Sequence, residues 1–148
     1  MSLIRNRGIE KHYEIIDKYE AGLVLKGAEV KSLRKAHASL SGSYVSIDNN
    51  EMYIVGMKIS RWSHTTSEVD ELRRRKLLLK NQEINRIQSK IKQKGYTIIP
   101  ISVYQSGKHL KMEIALAKGL KKYDVKAKEK EMEKEMKKEA KQAKATYL

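Results

Sequence analysis

The chain has 148 residues, no cysteine, and 32 Lys and Arg against 18 Asp and Glu, for a formal charge of +14. The missing thiols exclude disulfides, cysteine zinc sites and thiol catalysis and fit a reducing cytoplasm; no run of 18 apolar residues predicts a membrane helix, and the basic first seven residues lead into no secretory signal. Charge of this size opposes folding through self-repulsion and points to a polyanionic partner, nucleic acid first and an anionic membrane surface second.

Residues 12–25 mix alternation with β-branched and aromatic side chains around Gly22, which predicts a strand with a bend or bulge. Residues 27–36 place Val30, Leu33 and Ala36 at helical spacing, a short helix suited to plugging an opening. Two alternating runs, 43–47 and 52–59, flank Asp48-Asn49-Asn50-Glu51; Asx residues tolerate the left-handed region, so a hairpin is expected. Residues 61–75 read as a polar loop ending in Arg73-Arg74-Arg75-Lys76, followed by the apolar triplet Leu77–Leu79. Asn81 is placed to cap a helix with Ile84, Ile87 and Ile91 on one face, ended by Gly95. Residues 97–104 and 110–117 form a second predicted hairpin around Gln105-Ser106-Gly107-Lys108, with Pro100 at an edge or bulge.

These elements predict a mainly β body, residues 1–124. It is a small closed or partly open antiparallel barrel of the oligonucleotide-binding kind with two to three flanking helices, and a ferredoxin-like sandwich is the alternative. Residues 125–148 form a basic C-terminal tail, too poor in large apolar groups to hold itself together, hence disordered or loosely helical when free. At ~100° per residue, Lys126, Lys130, Lys134, Lys137, Lys141 and Lys144 line one face of that tail, Glu131, Glu135 and Glu139 another. A lysine row suits phosphates; a solvated Lys/Glu helix is the plainer reading.

Catalytic signatures are missing: no phosphate loop, no nucleophile elbow, and no metal-ligand spacing among His12, His37, His64 and His109. Glu20, Glu29 and Asp70 could form a carboxylate metal set for a nuclease, but acids are scarce and serve more simply as counter-charges. Eight Tyr and no Phe leave a polar tip on most aromatic rings. Tyr53 and Tyr104 read as strand residues with one edge in the core, whereas Tyr13 reads as a ring that stacks on a base.

Several segments then fall into one register: Glu20-Ala21-Gly22, Leu25-x-Gly27-x-Glu29-Val30-Lys31-Ser32-Leu33-Arg34, Ser43-Tyr44-Val45, Arg75-Lys76-Leu77-Leu78-Leu79, Lys94-Gly95-Tyr96-Thr97 and Ala115-Leu116-Ala117-Lys118-Gly119, with Tyr123-Asp124 behind them. From about Asn6 to Asp124 the chain resembles the SmpB family of SsrA-binding proteins, partners of tmRNA in bacterial ribosome rescue. The resemblance implies a cytoplasmic, non-enzymatic adaptor without a cofactor or membrane attachment. Its body would bind the elbow of the tRNA-like domain of tmRNA and reach the stalled ribosome together with elongation factor Tu, through alanyl-tmRNA. Its tail, from Asp124 onward, would enter the small-subunit decoding centre and the empty mRNA channel. A general single-strand RNA-binding or ribosomal protein is the competing reading.

Carried over position by position, Asn6, Tyr13, Glu20 and Leu78 match family positions linked to tmRNA. Asn6 can bond a base edge and Tyr13 can stack. Glu20 either accepts from a guanine edge or steadies a nearby cation. Leu78 is core by default and a nucleotide contact otherwise. Lys31, Arg34, Arg73, Arg75 and Lys76 are candidate phosphate contacts, while Glu29 is expected to order a neighbouring Lys or Arg. The chain departs from the family pattern at Lys11-His12-Tyr13, at Asp70-Glu71 where Asp-Pro is usual, and after Asp124, where Val125-Lys126 replaces Lys-Arg.

Overall fold

A computed structural model describes residues 2–61 and 70–120, together with Lys134. The elements in chain order are β1 (Ser2–Arg5), a 3-10 turn at Ile9–Lys11, β2 (Tyr13–Leu23), α1 (Gly27–Arg34), β3 (Ala38–Ser39), β4 (Tyr44–Asp48), β5 (Glu51–Val55), β6 (Lys58–Ile59), β7 (Arg75–Leu78), α2 (Asn81–Lys94), β8 (Thr97–Ser106) and β9 (His109–Gly119). Seven strands form one antiparallel sheet in the order β1-β8-β9-β2-β7-β5-β4, and β3 pairs with β6 beside it. The predicted class, mainly β with flanking helices, stands.

Of the closed and partly open barrels expected, the closed form is not made. β1 and β4 are the two edges of the large sheet and no ladder joins them. Where β4 approaches α2 and the start of β8, Val45, Ile47, Ile91 and Ile98 line an open groove of about 320 Å³. Side chains stand there in place of the backbone bonds that would close a barrel.

Local chemistry explains most elements. In the β4–β5 hairpin Asn49 and Asn50 take φ of 49° and 61°, and Asp48 pairs with Glu51. This is the two-residue left-handed turn that Asn-Asn favours. The β8–β9 hairpin turns at Gly107-Lys108, with Ser106 opposite His109. Pro100 sits where the β8 register shifts, between Pro100 and Ser102, as a residue without an N–H must. The bulge of β2 falls between Ile15 and Asp17, not at Gly22. The N-cap of α2 lies one residue earlier than predicted: it is Lys80, its N–H donating to Glu83 Oε1 at 3.3 Å, and Asn81 is already helical. Gly95 closes the helix at φ 68°, its N–H returning to the Ile91 carbonyl.

The main core gathers Leu33, Met52, Ile54, Met57, Leu77, Ile87, Met112, Ile114 and Leu116, all buried, from α1, the sheet, the β5–β6 connection and α2. A second, smaller cluster lies apart from it. Ile99, Ile101, Ala115 and Ala117 are covered by Ile9, Tyr13 and Ile15. The N-terminal segment is fastened there by the Asn6 N–H to the Ile101 carbonyl at 2.8 Å and by Asn6 Nδ2 to the Pro100 carbonyl at 3.0 Å. That coverage makes β8 an almost continuous buried run from Ile98 to Val103 rather than an alternating one.

Candidate nucleic-acid interface

The register brings one set of side chains to a common face of β7, β2, β9 and β8. Gly22 pairs with Leu78 on one side and Lys111 on the other, Tyr104 pairs with Lys111, and Glu20 pairs with Glu113. Paired residues share a face, so Leu78, Lys111, Tyr104, Glu20 and Glu113 form a continuous surface. Gly22 is its hinge: a Cβ built there would lie 3.2 Å from Leu78 Cβ. Only a residue without a side chain lets β7 carry Leu78 this close without pushing it aside.

Leu78 is 53% exposed, whereas its strand neighbour Leu77 is buried. The alternation of β7 therefore turns one leucine into the core and the next into solvent. The triplet does not behave as one apolar run, and the core default for Leu78 is overturned. Beneath Leu78 an open, largely apolar cleft of about 240 Å³ is lined by Gly22, Leu23, Leu25, Val30 and Leu110, with Lys108, His109 and Lys111 beside them. A pocket with apolar walls and cationic neighbours suits a splayed nucleotide, the base inside and its phosphate near an ammonium group.

Glu20 takes the second of its two predicted roles. Its carboxylate lies 2.5 Å from Lys111 Nζ. Hydrogen bonds from Lys111 and then from Tyr104 hold its carboxyl below the ordinary carboxylate range. The Tyr104 hydroxyl is raised to about 12, by burial first and by its bond to Glu20 second. Tyr104 is accordingly a fixed hydrogen-bond donor at any physiological pH. The set Glu20–Lys111–Tyr104 is a pre-arranged polar bracket whose parts come from three strands.

The other predicted contacts divide. Lys31 and Arg34 stand exposed on α1, and neither is in an ion pair among the described residues. Lys76 is half-buried and its Nζ lies 3.1 Å from Glu51 Oε1. Tyr13 is half-buried against the small cluster, so its ring is partly a packing group. Asn6 has its amide nitrogen on the Pro100 carbonyl.

Arg73 and Arg75 are drawn inward. Arg75 is fully buried; its Nε donates to Glu29 Oε2 at 2.8 Å, Nη1 to the Met57 carbonyl at 2.5 Å and Nη2 to the Glu71 carbonyl at 3.1 Å. Arg73 grips the same carboxylate through Nη2, and through Nε at 3.2 Å. Arg75 is out of reach of a phosphate because it is fully buried, and its reading as an RNA contact is replaced by a structural one. The expectation for Glu29, that it orders basic neighbours, is met twice over.

Of the tail positions, Asp124, Lys126, Lys130, Lys137, Lys141 and Lys144 lie outside the described residues; Lys134 is helical and exposed. Among the described residues no three His, Asp or Glu side chains could hold a metal ion, so Glu20, Glu29 and Asp70 do not assemble the nuclease set. No described helix is long and apolar enough to cross a membrane.

A family model described as SmpB protein matches residues 3–145. The chain belongs to the SmpB family. An SsrA-binding protein of Aquifex aeolicus is 46% identical over 131 residues, covering 87% of this chain and 83% of that one. Another, from Malacoplasma penetrans, is 46% identical over 123 residues, 82% of this chain and 84% of its own. A solved SmpB structure, described by the words "tmRNA-SmpB: a journey to the center of the bacterial ribosome", superposes with a TM-score of 0.66 at 37% identity. That match covers 80% of this chain and 85% of the other.

Sequence reasoning missed Tyr104, Lys108, His109 and Lys111 as members of this surface. Tyr104 opposite Lys111 was within reach, because a two-residue turn at Gly107-Lys108 fixes that pairing. Their meeting with Glu20 depends on the β2–β9 ladder, which joins residues some ninety positions apart and has no local signal.

Proposed function

We propose that this SmpB-family chain binds the tRNA-like domain of tmRNA and carries it to stalled ribosomes for trans-translation. The observation that carries the reading is Leu78, held out in solvent by Gly22 over an apolar cleft with lysines beside it. An exposed leucine over an empty cleft is costly in isolation and is stabilised when an unpaired nucleotide covers it. The Glu20–Lys111–Tyr104 bracket then meets the polar edge of that nucleotide, and Lys31, Arg34 and Lys76 meet flanking phosphates. Asn6 and Tyr13 contribute at the N-terminal margin. Family membership and the likeness to a tmRNA-SmpB structure support the choice of tmRNA over other RNAs.

The finer mechanism follows the charge. The body, residues 1–124, would read the RNA elbow, and the tail, residues 125–148, would lay Lys126, Lys130, Lys134, Lys137, Lys141 and Lys144 along the ribosomal RNA of an empty mRNA channel. Asp124 would mark the junction. Messenger in the channel would exclude the tail, so the stalled state is sensed as an absence. Elongation factor Tu would take part indirectly, through alanyl-tmRNA, and the work would be done in the cytoplasm without catalysis by this chain.

The deciding experiment is a competition at near-physiological salt. Labelled tRNA-like domain of tmRNA, bound to the chain, is challenged with excess bulk tRNA. Failure of tRNA to compete is the expected result; equal competition would move the chain to the general RNA-binding class. Removal of residues 125–148 should leave tmRNA affinity within roughly threefold, because the elbow contacts are in the body. The same truncation should abolish tagging of stalled products. Tyr13→Ala should weaken RNA binding by about 1–3 kcal/mol, the size of one stacking contact.

A further inference from the structure

The run Arg73-Arg74-Arg75-Lys76 is the densest cluster of positive charge among the described residues, yet strand alternation splits it. Arg73 and Arg75 turn inward to one carboxylate; Arg74 and Lys76 turn outward. Glu29, 3% exposed, receives both guanidinium groups and also the Lys26 N–H at 2.8 Å. Burial pushes its carboxyl up, but hydrogen bonds from Arg73, from the Lys26 backbone and from Arg75 outweigh this and leave it lowered and ionised. On the outer side Arg74 lies over the Tyr53 ring, 4.0 Å from its centroid, and 3.9 Å from Asp48, while Lys76 meets Glu51. A tetrapeptide that reads as a strong phosphate magnet is thus half hidden and half neutralised.

We propose that Glu29 is a specificity-determining residue: it withdraws Arg73 and Arg75 from nucleic acid, so that RNA is chosen by the Leu78 cleft and not by unspecific phosphate attraction. The inference rests on the RNA-binding function proposed above and adds a restraint to it. Arg75 would stay buried whatever RNA is present, but Arg73, a quarter exposed, needs only the loss of its carboxylate partner to swing outward. A freed guanidinium at the surface binds any phosphate and carries no sequence information. Keeping it paired lowers affinity for bulk RNA and preserves the difference between cognate and non-cognate RNA, which is what selectivity consists of.

The test is the salt dependence of binding, which counts phosphate contacts. The slope of log K against log salt changes by about 0.7–0.9 for each contact made or lost. The full chain would be titrated with the tRNA-like domain of tmRNA and, separately, with bulk tRNA. Arg73→Gln, at a partly exposed position that keeps Glu29 and Arg75 together, should leave both slopes unchanged. E29Q should steepen the bulk-tRNA slope by about one contact and narrow the preference for the tRNA-like domain by roughly threefold or more. The E29Q/R73Q double variant should restore the original slope. A merely structural Glu29 would move the unfolding midpoint and weaken both RNAs in parallel, slopes intact, and that outcome would overturn the proposal. A shallower slope in Arg73→Gln would overturn it as well, and needs no fold-sensitive variant. Absence of binding by the unaltered chain to either RNA would instead remove the function proposed above, and this restraint with it.

Discussion

Glu29 and Glu20 each gather basic neighbours from other elements, but one does so in the interior and the other in solvent. Glu29 is enclosed with Arg75 and ties α1 to β7, to the Met57 carbonyl and to Glu71 through a single ionised node. Glu20 is about half exposed and holds Lys111 and Tyr104 with nothing above it. The same functional group therefore does two jobs. In the interior, every donor must be satisfied, because an unpaired charge there has no water to turn to; no buried side-chain polar atom among the described residues lacks a partner. On the surface, water screens the pair, so Lys111 and Tyr104 are held in position by a contact of little net strength.

The comparison can be broken most forcefully at the interior node. Glu29→Ala leaves Arg75 buried without its counter-charge and should cost about 3–5 kcal/mol in urea unfolding. A loss no larger than that of an exposed ion pair would show that water reaches Arg75 and that the node is not an interior one. The node should also be acid-labile. Glu29 is held below its unfolded value, so its contribution is fully present above about pH 4.3 and is lost as the pH falls through the lowered folded value. The urea midpoint should fall on that acid limb, and the fall should shrink in Glu29→Gln.

The surface should respond in the opposite way. Leu78→Ala should leave the urea midpoint within about 0.5 kcal/mol, as for an exposed residue. It should weaken binding of the tRNA-like domain by about 1–2 kcal/mol through lost apolar contact. Stability loss without a binding loss would place Leu78 back in the core. Gly22→Ala, which presses a methyl against Leu78 Cβ, should lower RNA affinity by displacing that side chain, though less than Leu78→Ala removes. Glu20→Gln is the smallest stability change expected, with no measurable shift of the urea midpoint. Its effect should appear in RNA affinity alone.

Much of this molecule is written locally. Asn49-Asn50 and Gly107-Lys108 set two hairpins, Gly95 ends α2, Pro100 marks the bulge of β8, and the charge of +14 names the class of partner. These are one-body or near-neighbour effects: φ preference, a missing N–H, a sum of charges. The motif blocks from Glu20 to Gly119 named the family, which the matching family model bears out.

What tertiary structure alone decided is where each side chain ends up. β1 was not foreseen, because Ser2–Arg5 is a strand only by virtue of pairing with residues 102–104, a hundred positions away. Closure is a long-range matter of the same kind: β1 and β4 are left as unpaired edges, and whether two strands so far apart in sequence meet is stated by no local pattern. The Arg73–Lys76 run is uniformly basic as a sequence, and only strand alternation against Glu29 turns two of its members inward. Leu77 and Leu78 are likewise identical in one dimension and opposite in three. Composition determines that positive charge and apolar surface are present; long-range register, a cooperative property of the folded chain, determines which of them nucleic acid can touch.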